Sequence, residues 1–193
     1  GLGAIGSAAL MHAARSGMRV LGIDRYDPPH NFGSSHAESR ITRLAVGEGP
    51  QYLPFVRRSH QIWRDLEAET GQQLLHQPGG YIITPPTKTQ DPRWGNFVDR
   101  TADVAARAAI PFEIRTPDQV RTHVPRIRLQ GDEKIGFEPT GGIVMCERAV
   151  KLQLDLARGS GAKTVTDTPV VAIEPAHGGA TVHTEQTHYW AQN

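Results

Sequence analysis

Glycines at positions 1, 3 and 6 open the chain with the spacing GxGxxG, and a helix-like run follows them. Glycines there let the backbone approach a pyrophosphate that a Cβ would block. The helix start offers unpaired N–H groups and the positive end of its dipole to the same anion. Downstream, the short apolar run Arg19-Val20-Leu21-Gly22-Ile23 closes on Asp24. An acid about 20 residues after such a loop accepts hydrogen bonds from a ribose 2′-hydroxyl. A chance glycine cluster is the competing reading, but a helix followed by an acid-ended strand favours a dinucleotide. Asp24 argues against NADP, whose extra phosphate it would repel; it does not separate NAD from FAD. A second candidate is the pair Arg40 and Arg43 in a stretch rich in Pro, Gly, Ser and His. An arginine fork is the strongest charge-assisted partner for a carboxylate. Taken alone, arginines at i and i+3 more often mark a solvated face.

Other chemistries have little support. The nine histidines are scattered along the chain and none forms an HExxH or a His/Cys cluster, so no metal site is expected. The single cysteine, Cys146, excludes an internal disulfide, fits a reducing, cytoplasmic compartment and reads as an inert thiol. Lysine and arginine nearly balance aspartate and glutamate, giving a net charge of +1, which is no footprint for nucleic acid or an anionic membrane. No apolar run approaches the ~18 residues of a membrane span. With 193 residues, 38% hydrophobic and 21% charged, the chain is ordinary soluble α/β material, long enough for one domain or one and a half.

The elements that must position these residues read as follows. Residues 1–24 are loop, helix and strand, with Ile5, Ala8, Ala9, His12 and Ala13 at helical spacing and Gly17 at the helix end. A βαβ unit calls for a parallel strand before Gly1, so the chain is expected to begin inside that unit. Residues 27–50 form a long loop, interrupted at 39–44. A long irregular segment inside a compact domain, dense in arginine and small residues, reads as functional. A helix spans 51–70, with Leu53, Val56, Ile62, Trp63 and Leu66 on one face and Gly71 stopping it. Strand 81–84 and a helix over 93–109 follow. Thr116-Pro117-Asp118-Gln119 places Thr at the N-cap, Pro at N1 and Gln at N3 of a short helix. Strand and turn over 137–144, a helix over 147–158, and short strands at 163–168, 170–173, 181–184 and 189–191 complete the pattern.

One block goes further. Asp27-Pro28-Pro29-His30, then Gly33-Ser34-Ser35-His36-Ala37-Glu38-Ser39-Arg40-Ile41-Thr42-Arg43 and Gly47-Glu48-Gly49 resemble the monomeric sarcosine oxidase and N-methyltryptophan oxidase family of flavoenzymes. The resemblance runs the whole chain: the helix after Tyr52-Leu53-Pro54, the Gly79-Gly80 strand, the Phe137-Glu138-Pro139 turn and Gly161-Ala162-Lys163 fall in the family's order. It implies FAD as the cofactor, with Gly1, Gly3, Ile5 and Gly6 on its pyrophosphate and Asp24 on the adenosine ribose. It places Ser34, His36, Ser39 and Arg40 beside the flavin and brings the backbone of Val170 to the adenine side. Arg43 matches the arginine that holds a substrate carboxylate, and Arg40 would stabilise negative charge on the reduced ring. The family's covalent flavin attachment and its oxygen-activating lysine belong to sequence beyond residue 193, and Cys146 does not match the attached cysteine. Val46 stands where the family commonly carries tyrosine, which leaves the substrate's identity open.

The resemblance therefore implies an α/β fold of DAO type: a Rossmann-type FAD-binding domain over 1–76 and 137–193, with part of a mixed-sheet substrate domain over 77–136. It implies an FAD-dependent oxidoreductase acting on CH–NH groups. Its partners would be a small-molecule amine or amino-acid substrate and molecular oxygen, and it would be a monomer. An N-methyl amino acid would yield an imine, then formaldehyde, with hydrogen peroxide. A deaminating amino-acid oxidase, a dehydrogenase of the same group and an inert nucleotide-binding fragment remain alternatives.

Overall fold

In the computed structural model, which describes residues 1–84 and 96–192, the glycine loop runs directly into α1 (Ala4–Arg15). β1 (Leu21–Ile23) and β2 (Arg40–Thr42) follow, and a 3-10 turn, Pro50–Tyr52, leads into α2 (Leu53–Thr70). Next come β3 (Leu75–His76), β4 (Gly80–Thr84), α3 (Phe97–Arg107), β5 (Glu113–Arg115) and α4 (Pro117–His123). β6 (Lys134–Glu138), β7 (Gly142–Val144) and α5 (Cys146–Gly159) precede β8 (Lys163–Val165), β9 (Val170–Ala176), β10 (Gly179–Thr184) and β11 (His188–Gln192). The expected helix over 93–109 is α3, its residues 93–95 lying outside the described ones. No described helix is long and apolar enough to cross a membrane.

Local chemistry accounts for the element ends. α1 and α2 stop where Gly17 (φ 80°) and Gly71 (φ 70°) turn left-handed, a conformation that only glycine adopts at little cost. At α4 both halves of the capping box form: Gln119 N donates to Thr116 Oγ1 at 3.3 Å, and Thr116 N to Gln119 Oε1 at 2.8 Å.

The chain divides into two compact units, Gly1–Ser39 with Met145–Asn193, and Arg40–Val144. In the first, β1 and β8 pair in parallel, Leu21 opposite Lys163 and Ile23 opposite Val165. β9, β10 and β11 form an antiparallel sheet in which Thr181 faces Trp190 and Val182 faces Tyr189. α1 packs on α5 and buries Ser7, Leu10, Met11 and Ala14. This corrects the expected face: Ile5 is 88% exposed, and Ala9 and His12 also face solvent. Ser7 marks the buried face, meeting Gln153 of α5 at 2.8 Å.

Among the described residues the second unit holds two three-stranded sheets, β2–β7–β3 and β4–β6–β5. α3 packs against β4 and β6 and buries Phe97, Val98, Thr101, Val104 and Ala105. Ala45, Ala105 and Ile110 form a small core extended by Leu44, Leu53, Ala108 and Phe112. β7 joins β2 and β3 in one sheet, so residues 142–144 fall in the same compact unit as β2 and β3.

Candidate functional site

A cleft of about 400 Å³ opens in the first unit, lined among others by Gly1, Gly3, Asp24, Ser34, Ser35 and Val170. That is within the size range of small-molecule sites, roughly 300–1,000 Å³. α1 points its N-terminus here. A helix start leaves its first N–H groups without intrahelical acceptors, and Ser35 Oγ takes that of Ala4 at 3.0 Å. Asp24, buried at the end of β1, is the cleft's anionic wall. Its Oδ2 accepts Leu2 N at 2.6 Å; its Oδ1 accepts Tyr26 N at 2.9 Å and lies 3.3 Å from His30 Nε2. Burial pushes the Asp24 carboxyl up, but the Leu2 and Tyr26 amides and His30 outweigh it and hold it below the usual carboxylate range. Asp24 is therefore ionised and aimed, with an acceptor position on Oδ2 left for a hydroxyl.

The three glycines divide their labour. A Cβ on Gly1 would meet only Asp24 Oδ2 at 3.7 Å, and one on Gly3 only the Ser35 side chain, at 3.2 Å and beyond. A Cβ on Gly6 would sit 1.8 Å from the Gly1 carbonyl oxygen. Gly6 is thus demanded by the fold of the loop itself. Among the expected cofactor residues, Gly1, Gly3, Asp24, Ser34 and Val170 line the cleft, whereas Ile5, Gly6, His36, Ser39 and Arg40 do not. His36 is half-buried in a loop tied to α5: Cys146 N donates to the Glu38 carbonyl at 3.1 Å, and the Cys146 thiol to that of Ala37 at 2.8 Å. Cys146 is a structural thiol.

Arg40 and Arg43 lie in the second unit. Arg40 opens β2 opposite Val144. Arg43 follows the strand, its side chain 28% exposed, its guanidinium paired with the Glu48 carboxylate and 5.7 Å from the centre of the Phe97 ring. Its Nε is buried and makes no hydrogen bond. Burial pushes Glu48 up, and the Arg43 hydrogen bond brings it below the usual carboxylate range. The fork thus already holds one carboxylate beside an aromatic wall. Val46 is buried, at 8% exposure.

Sequence reasoning did not assign roles to Ser35, His30, His60 or Glu138. Ser35 and His30 stand inside the quoted block, so adjacency to Ser34 and Pro29 was the available signal. Glu138 ends the strand Lys-Ile-Gly-Phe-Glu at a position whose burial only the sheet reveals.

Comparison with known proteins agrees with this geometry. The family model described as FAD dependent oxidoreductase (DAO) matches residues 1–191. The monomeric sarcosine oxidase of Streptomyces avermitilis is 34% identical over 191 residues, 99% of this chain and 48% of that protein. The N-methyl-L-tryptophan oxidase of Yersinia pestis is also 34% identical over 191 residues, 99% of this chain and 50% of its own length. The chain spans about half the length of the curated relatives it matches. Among solved structures, NikD, an unusual amino acid oxidase essential for nikkomycin biosynthesis, superposes with a TM-score of 0.85 at 20% identity, covering 98% of this chain and 47% of NikD. The L-proline dehydrogenase of P. horikoshii superposes with a TM-score of 0.80 at 19% identity, covering 98% of this chain and 49% of its own. At such identities the likeness is one of fold, mixed α/β with a Rossmann-type FAD-binding core.

Proposed function

Since this chain belongs to the DAO family of FAD-dependent oxidoreductases, we propose that the whole protein, a monomer, oxidises secondary amines of the N-methyl amino-acid type with molecular oxygen. The observation that carries the reading is Arg43. The block that resembles the sarcosine and N-methyltryptophan oxidases contains a half-buried guanidinium with an aromatic wall and a buried Nε that makes no hydrogen bond.

The residues of the cleft fit the cofactor. Gly1 and Gly3 leave room for the pyrophosphate, the N-terminus of α1 supplies N–H groups and dipole, and Asp24 accepts a ribose hydroxyl. Ser34 and Val170 flank the nucleotide, and the resemblance assigns Arg40 the positive charge beside the flavin. Bound FAD would supply the electron acceptor for the C–H bond beside the amine nitrogen and would return the electrons to oxygen as hydrogen peroxide. Arg43 binds the substrate carboxylate through its guanidinium beside Glu48 and so fixes which C–H bond is presented. Water then hydrolyses the imine product to the free amino acid and formaldehyde. In this reading the first unit is the FAD-binding part and the second belongs to the substrate domain.

The test uses the purified full-length protein. Anaerobic N-methyl amino acid should bleach the flavin band near ~450 nm, a general property of the cofactor, and aerobic turnover should release formaldehyde and peroxide. Ammonia with a keto acid would mean deamination instead. A flavin that no secondary amine reduces would end the proposal. Arg43→Ala should lower kcat/KM by about 2–4 kcal/mol, through the carboxylate left unpaired, at unchanged flavin content. Lost flavin with unaltered kinetics would remove Arg43 from this role.

A further inference from the structure

Beyond Arg43 itself, the structure contains a buried polar clamp on the backbone that carries it. β2 ends at Thr42, so the amides that follow have no ladder partner. Glu138, at the end of β6 and only 1% exposed, replaces that ladder. Its Oε1 accepts Leu44 N at 2.7 Å and its Oε2 accepts Ala45 N at 2.9 Å. Thr140 Oγ1 donates to Oε1 at 2.7 Å and fixes the carboxylate in turn. On the other side of Arg43, Thr42 Oγ1 lies 2.8 Å from His60 Nε2. Residues 42, 44 and 45 are thus all held, and the residue between them presents the guanidinium.

We propose that Glu138 is a positioning residue for substrate recognition, which holds the Leu44–Ala45 backbone so that Arg43 presents its fork to the carboxylate. The proposal rests on the reading of Arg43 given above. A carboxylate suits the task because two amides that diverge from a strand end need two acceptor atoms on one rigid group. An amide at position 138 offers one acceptor and sets an NH2 against the other N–H, leaving a buried donor unmet. Glu138 touches neither substrate nor cofactor in this scheme. Its effect passes through Arg43, and that coupling is measurable.

The experiment uses the full-length holoenzyme, with acetate as the probe, acetamide as the uncharged control and perturbation of the flavin absorption as the readout. KM is compared for an N-methyl amino acid and for the corresponding N-methylamine without a carboxylate. Glu138→Gln should weaken acetate about tenfold, raise KM for the amino acid alone, and add nothing in an Arg43→Ala background, the non-additivity expected of residues acting as one unit. Equal weakening in both backgrounds, or equal KM changes for both substrates, would show a merely structural carboxylate and overturn the proposal. If Arg43→Ala weakens acetate and Glu138→Gln does not, only this proposal fails. If Arg43→Ala leaves acetate binding intact, the reading of Arg43 fails and takes the proposal with it. Should Glu138→Gln not fold, Thr140→Val removes one bond from Oε1 while keeping the carboxylate. It should weaken acetate about two- to threefold, again only when Arg43 is present; unaltered affinity would overturn the proposal.

Discussion

At the scale of single residues, the glycine loop shows that one motif can contain two different demands. A ligand-binding account treats Gly1, Gly3 and Gly6 alike, as positions where a side chain would block a phosphate. The coordinates separate them. Alanine at 3 would press on the Ser35 side chain, whose oxygen lies 3.2 Å from the added Cβ and can rotate away. Alanine at 6 would drive a Cβ to 1.8 Å from a backbone carbonyl oxygen, with the carbonyl carbon only 2.8 Å away. Nothing there moves without reopening the turn. Gly6→Ala is therefore expected to destabilise the first unit by several kcal/mol, on the order of 3 or more as for other backbone clashes in tight packing, and to lose flavin as a consequence. Gly3→Ala should fold normally and lose flavin affinity alone. Thermal unfolding of both variants with and without added FAD distinguishes the two demands; equal melting temperatures would contradict the assignment.

At the scale of elements, α1 and α5 meet across a buried polar pair where an apolar stripe is the usual expectation. Ser7 Oγ lies 2.8 Å from the Gly3 carbonyl and 2.8 Å from Gln153 Oε1, both side chains being buried. The pair stitches the helix that starts the cleft to the helix behind it. Ser7→Ala alone leaves the Gln153 amide short of a partner and should cost about 1–3 kcal/mol, whereas Ser7→Ala with Gln153→Leu should recover much of that, since removing both partners removes the unmet group. A double variant no more stable than the single one would show that the pair does not set this interface. The same contact explains what the sequence could and could not reveal. Turn and cap chemistry was legible because it is local: the Thr116 box and the stop at Gly71 need no partner elsewhere. The buried face of α1 was not legible, because Ser7 is buried through its contact with Gln153 of α5 and ranks low on any apolar count. The Glu138 clamp was invisible for a related reason: its partners, Leu44 and Ala45, are remote in sequence and meet it only once β6 and the end of β2 share a unit. The cleft residues Gly1, Gly3, Asp24, Ser34 and Val170 came from motif and resemblance, while Ser35 and the His30 contact needed coordinates.

At the scale of the whole molecule, the two compact units carry different titrating groups, and pH should act on each unit through its own. His60 in α2 makes this concrete for the second unit. Burial pushes its imidazole below the ordinary histidine value; the Glu138 carboxylate pulls it up and Arg64 pushes it further down, and the net shift is downward. A histidine with a depressed folded-state pKa stays neutral in the fold while the unfolded chain takes up its proton. Stability from this group is thus fully present above about pH 6.5, the unfolded value, and is lost as pH falls through the interval down to the folded value. The carboxylates held low in the same unit, Glu48 and Glu67, act only further into acid, because their lowered values lie beneath the usual carboxylate range. Between pH 7 and 5, His60 is therefore expected to contribute a slope bounded by about 1.4 kcal/mol per pH unit, the limit for one proton. Amide hydrogen exchange reads this locally, where a global melt would blur the two units. Protection along α2, corrected for the intrinsic pH dependence of exchange, should fall on going from pH 7 to 5.5. His60→Gln, whose amide can still reach Thr42 but takes up no proton, should flatten that fall. An unchanged slope in the variant would mean that the imidazole is not what acid attacks first in this unit, and that the grip on Thr42 beside Arg43 survives protonation.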